Sequence, residues 1–89
     1  MFRLWAKIFK ENHLLRDHMI EDSSDATRTT KVFRALEETC VEFDLGVPIW
    51  LDANIREFQR HAKTRFNQDS FVETIDFDFL EIHVIEEDY

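Results

Sequence analysis

The chain has 89 residues, a formal charge of −8, and 44% hydrophobic against 34% charged residues, which predicts a single folded domain over residues 1–89. One cysteine excludes an internal disulfide framework, and one glycine excludes glycine-rich phosphate loops and the Gly-x-Ser-x-Gly nucleophile motif. No run approaches the roughly 18 apolar residues of a membrane span, so we expect a cytoplasmic protein that does not enter a membrane.

The N-terminal residues predict a β-hairpin. Phe2–Lys10 alternates in polarity, and His13–Glu21 can pair with it across a two-residue turn at Glu11-Asn12, where asparagine tolerates a positive φ. This register pairs Trp5 with His18. It predicts an apolar group on the sheet face away from the helices, formed by Trp5, Phe9, Leu14, His18 and Ile20.

The middle of the chain predicts two helices. The first covers residues 26–44, with a period near 3.6, a cap at Ser24 or Asp25, and Gly46 as its left-handed terminal residue. The second begins near Asp52 or Asn54 and ends between residues 64 and 66.

The C-terminal residues Phe79–Glu86 alternate again and predict a strand with Leu80, Ile82 and Val84 on its buried side. Together the elements predict an α+β, two-layer ββααβ domain with both helices on one face of the sheet. We expect three strands in the order 2-1-3, with the last strand parallel to the first, because two helices joined by a short link return the chain to its starting end.

The second helix is expected to carry a basic stripe. Its members are Arg56, Arg60, Lys63 and Arg65. One interpretation is that the stripe contacts a phosphate backbone or an acidic partner. The favoured interpretation is that it pairs with carboxylates of the first helix, namely Glu37, Glu38 and Glu42.

No residue pattern predicts catalysis, a cofactor or a metal site. Glu57 and His61 are spaced i, i+4, but two ligands are too few for a metal centre. Asp76 and Asp78 share a parity, although acids that flank a turn are usually solvated. Cys40 lies on the packed side of the first helix, which predicts a buried thiol rather than a nucleophile.

Four runs carry a resemblance to a known family: residues 29–33, 48–52, 60–66 and 75–82. Together they resemble a family of short uncharacterised proteins encoded by anaerobic Gram-positive bacteria, and the resemblance spans almost the whole chain. It implies a bacterial cytoplasmic protein and gives no activity or site.

The sequence therefore favours a small non-enzymatic interaction module that binds a protein partner or itself, as a homodimer, through the uncovered sheet face. The alternative is a small nucleic-acid-associated or acidic regulatory protein acting through the basic helix at residues 54–65. The acidity of the chain disfavours nucleic acid, since phosphate binding needs dense cations.

Overall fold

The computed structural model describes residues 1–87, which form four strands and two α-helices. Their bounds are β1 Phe2–Lys10, β2 His13–Asp22, α1 Arg28–Phe43, α2 Asp52–His61, β3 Lys63–Phe66 and β4 Phe79–Glu86, with a 3₁₀ turn at Gln68–Ser70. The strands make one sheet in the order β2-β1-β4-β3. Every neighbouring pair is antiparallel.

The α+β class and the two-helix layer are as predicted, but the strand count and the direction of the last strand are not. The three-stranded order 2-1-3 is wrong because Lys63–Phe66 forms a strand beside β4 instead of ending the second helix. This additional strand reverses the chain once more, so β4 runs antiparallel to β1 and not parallel to it.

One hydrophobic core lies between the sheet and the helices. Alternate residues of β1 enter it, with Leu4 and Ala6 fully buried, and Leu80 and Ile82 of β4 lie beside them. Leu36 of α1 covers the sheet from the other side of the core. The predicted inward parity of the first and last strands is therefore confirmed.

The two-residue turn of the first hairpin is also confirmed, since Glu11 and Asn12 both have positive φ, at 51° and 67°. Non-glycine residues rarely adopt this conformation. Asp78 supports the turn from the end of the sheet, because its carboxylate accepts a hydrogen bond from the Glu11 amide at 2.8 Å. The Asp78 amide in turn donates to the Phe9 carbonyl.

Both helices end earlier than expected. Thr27, and not Ser24 or Asp25, caps α1 by accepting a hydrogen bond from the Thr30 amide. Asp44 takes the left-handed position predicted for Gly46, and the Gly46 amide instead donates to Glu73. Ala62 ends α2 with a φ of 55°, so the chain leaves the helix before β3.

Cys40 is buried, as predicted, with 1% of its surface exposed. Burial raises the pKa of its thiol to about 11, so the reactive thiolate is scarce at neutral pH. We expect a thiol reagent to label the native protein slowly and the urea-unfolded protein fast. Labelling at equal rates in both states would contradict this placement of Cys40.

Candidate interaction surface

The sheet has one face without helices, and we call it the open face. Its residues come from the outward parity of all four strands, since the alternate residues of β1, β3 and β4 enter the core. Its members, strand by strand, are Leu14, Asp17, Met19 and Glu21; Arg3, Trp5, Lys7 and Phe9; Phe79, Glu81, His83 and Glu86; and Lys63 and Arg65.

Trp5 lies near the middle of the open face and is held by its neighbours. Its indole N–H donates to the Asp17 carboxylate at 2.9 Å, and the Lys7 ammonium lies 4.1 Å from the centre of its ring. The aromatic ring is therefore oriented by one anion and one cation while part of it stays exposed.

Glu81 lies beside this group with only 4% of its surface exposed, although no helix covers it. Its two oxygens bind Lys7 at 2.9 Å and Arg65 at 3.1 Å. Burial favours a higher pKa for this carboxyl, but the hydrogen bonds from Lys7 and Arg65 outweigh it and lower the pKa below the ordinary value. Glu81 is therefore a charged group fixed in the middle of the face.

The hairpin end of the open face is aromatic. Phe9 and Phe79 stack with their ring centres 5.3 Å apart, and the Arg65 guanidinium lies 4.5 Å from the Phe79 ring. Leu14, paired with Phe9, extends this apolar end to the edge strand and is 48% exposed.

His83 lies across from Trp5 on β4. Burial, together with the nearby cations Lys63 and Lys7, lowers the pKa of its imidazole, which is therefore neutral at pH 7.

Two of the five residues predicted for this face lie on the other side of the sheet. The register shifts between Ile8 and Phe9, where Leu15 is an additional residue on β2, so the parity of the rest of β2 is reversed. His18 therefore points toward α1, within 3.6 Å of Glu38, and Ile20 is buried in the core. Trp5, Phe9 and Leu14 do lie together on the open face.

The predicted basic stripe is divided between two parts of the molecule. Arg56 and Arg60 are exposed on α2, whereas Lys63 and Arg65 lie on β3 and point to the open face. The stripe therefore does not exist as one surface. The expected pairing with the α1 carboxylates is also absent among residues 1–87, where Arg65 pairs with Glu81 instead.

The long connection between β3 and β4 leaves the open face uncovered. Phe71 and Phe77 turn into the core and pack edge to face, and the Ser70 carbonyl accepts a hydrogen bond from the Ile49 amide in the interhelical linker. This connection lies on the helix side of the sheet and does not reach Trp5.

A second apolar surface, absent from the sequence predictions, is a groove of about 380 Å³ between the two helices. Phe33, Trp50 and Ile55 line it, and Phe33 is 48% exposed. The indole N–H of Trp50 is buried and has no hydrogen-bond partner among the described residues. The sequence does not indicate this groove, because the helical spacing of Phe33 predicts that it is buried in the core, whereas the structure leaves it exposed.

Two of the carboxylates considered for metal binding or catalysis accept hydrogen bonds from backbone amides, which gives them a structural role. Glu57 accepts a hydrogen bond from the Arg65 amide, and Asp78 supports the β1–β2 turn. Within residues 1–87 no three His, Cys, Asp or Glu side chains converge as metal ligands. No helix in the same range is long and apolar enough to cross a membrane.

Comparisons with protein-family models, with curated proteins and with solved structures find no match to this chain. The resemblance to a bacterial family stays a prediction.

Proposed function

We propose that this protein is a non-enzymatic interaction module that binds a protein through the open face of its sheet. The observation that carries the proposal is the set of aromatic rings left partly exposed on that face between fixed charges: Trp5, Phe9 and Phe79, with Lys7, Glu81 and Arg65 among them. Oriented aromatics and arginine are the groups that contribute most to protein interfaces.

The charges of the open face support a protein partner over a nucleic acid. Four cations, Arg3, Lys7, Lys63 and Arg65, are matched by four carboxylates, Asp17, Glu21, Glu81 and Glu86. The face is therefore neutral within a chain of charge −8. A phosphate backbone would gain little from a neutral face.

Nucleic-acid binding stays the second candidate because of one observation, the aromatic rings beside Lys63 and Arg65 on an open four-stranded sheet. Bases stack on such rings in single-strand binding proteins. This candidate no longer rests on a basic helix, since α2 ends at His61.

Two adjacent leucines offer a matched test. Leu14 is 48% exposed on the open face, and Leu15, 53% exposed, lies in the bulge and lines a cleft with Ile8 and Phe43 on the helix side. Where the bound protein is a second copy, we expect amide spectra of the ¹⁵N-labelled protein to change with protein concentration at β1 and β4 and at the Trp5 indole. Leu14→Glu should abolish these changes and Leu15→Glu should retain them.

Changes located on α1 or α2 instead would contradict the proposal. Adding a single-stranded oligonucleotide distinguishes the second candidate. If it shifts the Trp5 indole signal and the effect weakens steeply with salt, the open face binds phosphate and bases rather than protein.

A further inference from the structure

We infer that the partner of the open face is a second copy of this chain, related by a two-fold axis that runs parallel to the strands between β1 and β4. This inference rests on the proposed function and adds the identity and orientation of the partner. It follows from the order of charges across the sheet.

One row of cross-strand neighbours decides the orientation. Across the sheet from β2 to β3 the row reads Asp17, Lys7, Glu81, Arg65, with alternating signs that begin negative and end positive. Reversed, the same row has the opposite sign at every position. A two-fold axis along the strands places the row against its own reverse, so each charge meets an opposite charge.

The rows on either side follow the same rule. Arg3 pairs with Glu86 within the sheet. Under this axis, Arg3 of each chain therefore faces Glu86 of the other chain. Phe9 and Phe79 are likewise neighbours, so aromatic meets aromatic at the hairpin end. Trp5 would face the neutral His83 of the second copy.

The other possible axis, across the strands, gives a poor match. Each strand would then face itself reversed, which brings Lys63 against Arg65 and sets the carboxylates of Glu21 and Glu86 against the apolar Leu14 and Phe79. Like charges that face one another at an interface cost affinity and select against that arrangement. The charge pattern therefore discriminates between the two orientations of the same face.

The size of the face indicates a weak dimer. Three strands of eight to ten residues and one of four, about 4.8 Å apart, make a face roughly 19 Å wide and on average about 25 Å long. Two such faces bury on the order of 1,000 Å², which is the low end for specific interfaces. We therefore expect a dissociation constant on the order of micromolar or weaker.

The test is a charge exchange between two variants, measured by sedimentation at up to about 0.5 mM. Asp17→Lys alone puts a cation against Arg65 of the second copy, and Arg65→Glu alone puts an anion against Asp17. Each homodimer then has two like-charge contacts, and we expect its dissociation constant to rise at least about tenfold. An equimolar mixture has only opposite charges at these positions, so it should dimerise within about threefold of the wild type.

Matched controls are Glu37→Lys and Arg60→Glu, which make the same charge changes on exposed helix positions. They should leave dimerisation unchanged. Circular dichroism shows whether each variant is folded, since Arg65→Glu also removes a partner of Glu81.

A second test uses disulfide formation and does not need the Arg65→Glu variant. Met19 and Lys63 lie at opposite edges of the open face in the same row, about 14 Å apart. Under the inferred axis, Met19→Cys of one chain faces Lys63→Cys of the other, so an oxidised mixture should give a mixed disulfide. Met19→Cys alone should give no disulfide, and efficient self-linking would contradict the inferred axis.

The remaining outcomes separate the two proposals. A wild type that stays monomeric at 0.5 mM overturns self-pairing, and the proposed function then stands only if another protein shifts the Trp5 signal. A dimer whose open-face signals do not change overturns both. If the protein dimerises and the open-face signals change, but the charge exchange does not alter the dissociation constant, only the inferred orientation is overturned.

Discussion

Phe66→Ala is expected to destabilise the protein by about 3–5 kcal/mol, a large share of the ~5–15 kcal/mol that holds a small domain folded. Phe66 is completely buried, and its ring lies 5.0 Å from Trp50, edge to face. Removing it leaves a cavity between β3 and the interhelical linker that the surrounding rings cannot fill. Urea unfolding followed by circular dichroism measures the loss, and the melting temperature should fall by at least about 12 °C.

The matched control is Phe33→Ala, which removes the same atoms from another neighbour of Trp50. Phe33 is 48% exposed and its ring lies 6.1 Å from that of Trp50. We expect a loss below about 1.5 kcal/mol, because much of the Phe33 ring is already in water. Equal losses for the two variants would show that Phe66 does not occupy the core.

The hydrophobic alternation of the first and last strands was sufficient to predict them, because one face of each is buried and the other is not. Phe2–Lys10 and Phe79–Glu86 have the predicted bounds. The alternation with a period of two is visible within each segment and does not depend on the order of the strands in the sheet.

The bulge at Leu15 was not predictable from this pattern. Two registers of β2 differ only in which residues reach the core, and the decision depends on partners distant in sequence. The observed register buries Ile20, gives the Trp5 indole its acceptor Asp17 and places Arg16 4.7 Å from the Phe43 ring. Each of these gains requires a contact that the local sequence does not specify.

The third strand was missed because its spacing fits a helix equally well. Phe58, Ala62 and Phe66 recur every four residues, which is helical, while Lys63–Phe66 also alternates. No glycine or proline marks the change, and Ala62 adopts its positive φ without one. The position of this boundary determines which residues form the open face, since Lys63 and Arg65 reach that face only if the helix ends before them.

Lys7→Met is expected to destabilise the protein by about 2–4 kcal/mol at pH 7, because it removes one of the two cations that bind the buried Glu81 carboxylate. Arg65 remains, so the loss stays below that of an isolated charge. The matched variant Lys10→Met removes an exposed lysine from the same strand and should change stability by less than about 0.5 kcal/mol.

The ion pair between Lys7 and Glu81 also predicts how the stability of the protein depends on pH. The pKa of Glu81 is lower in the folded chain than in the unfolded chain, where it is about 4.3. A depressed pKa means that the contribution of Glu81 to stability is present above pH 4.3 and is lost as the pH falls through the folded value. We therefore expect the stability gap between the wild type and Glu81→Gln to be largest at pH 6–7 and to shrink below about pH 4. Urea unfolding across this range measures the gap, and a gap that does not change with pH would show that Glu81 is not ionised in the fold.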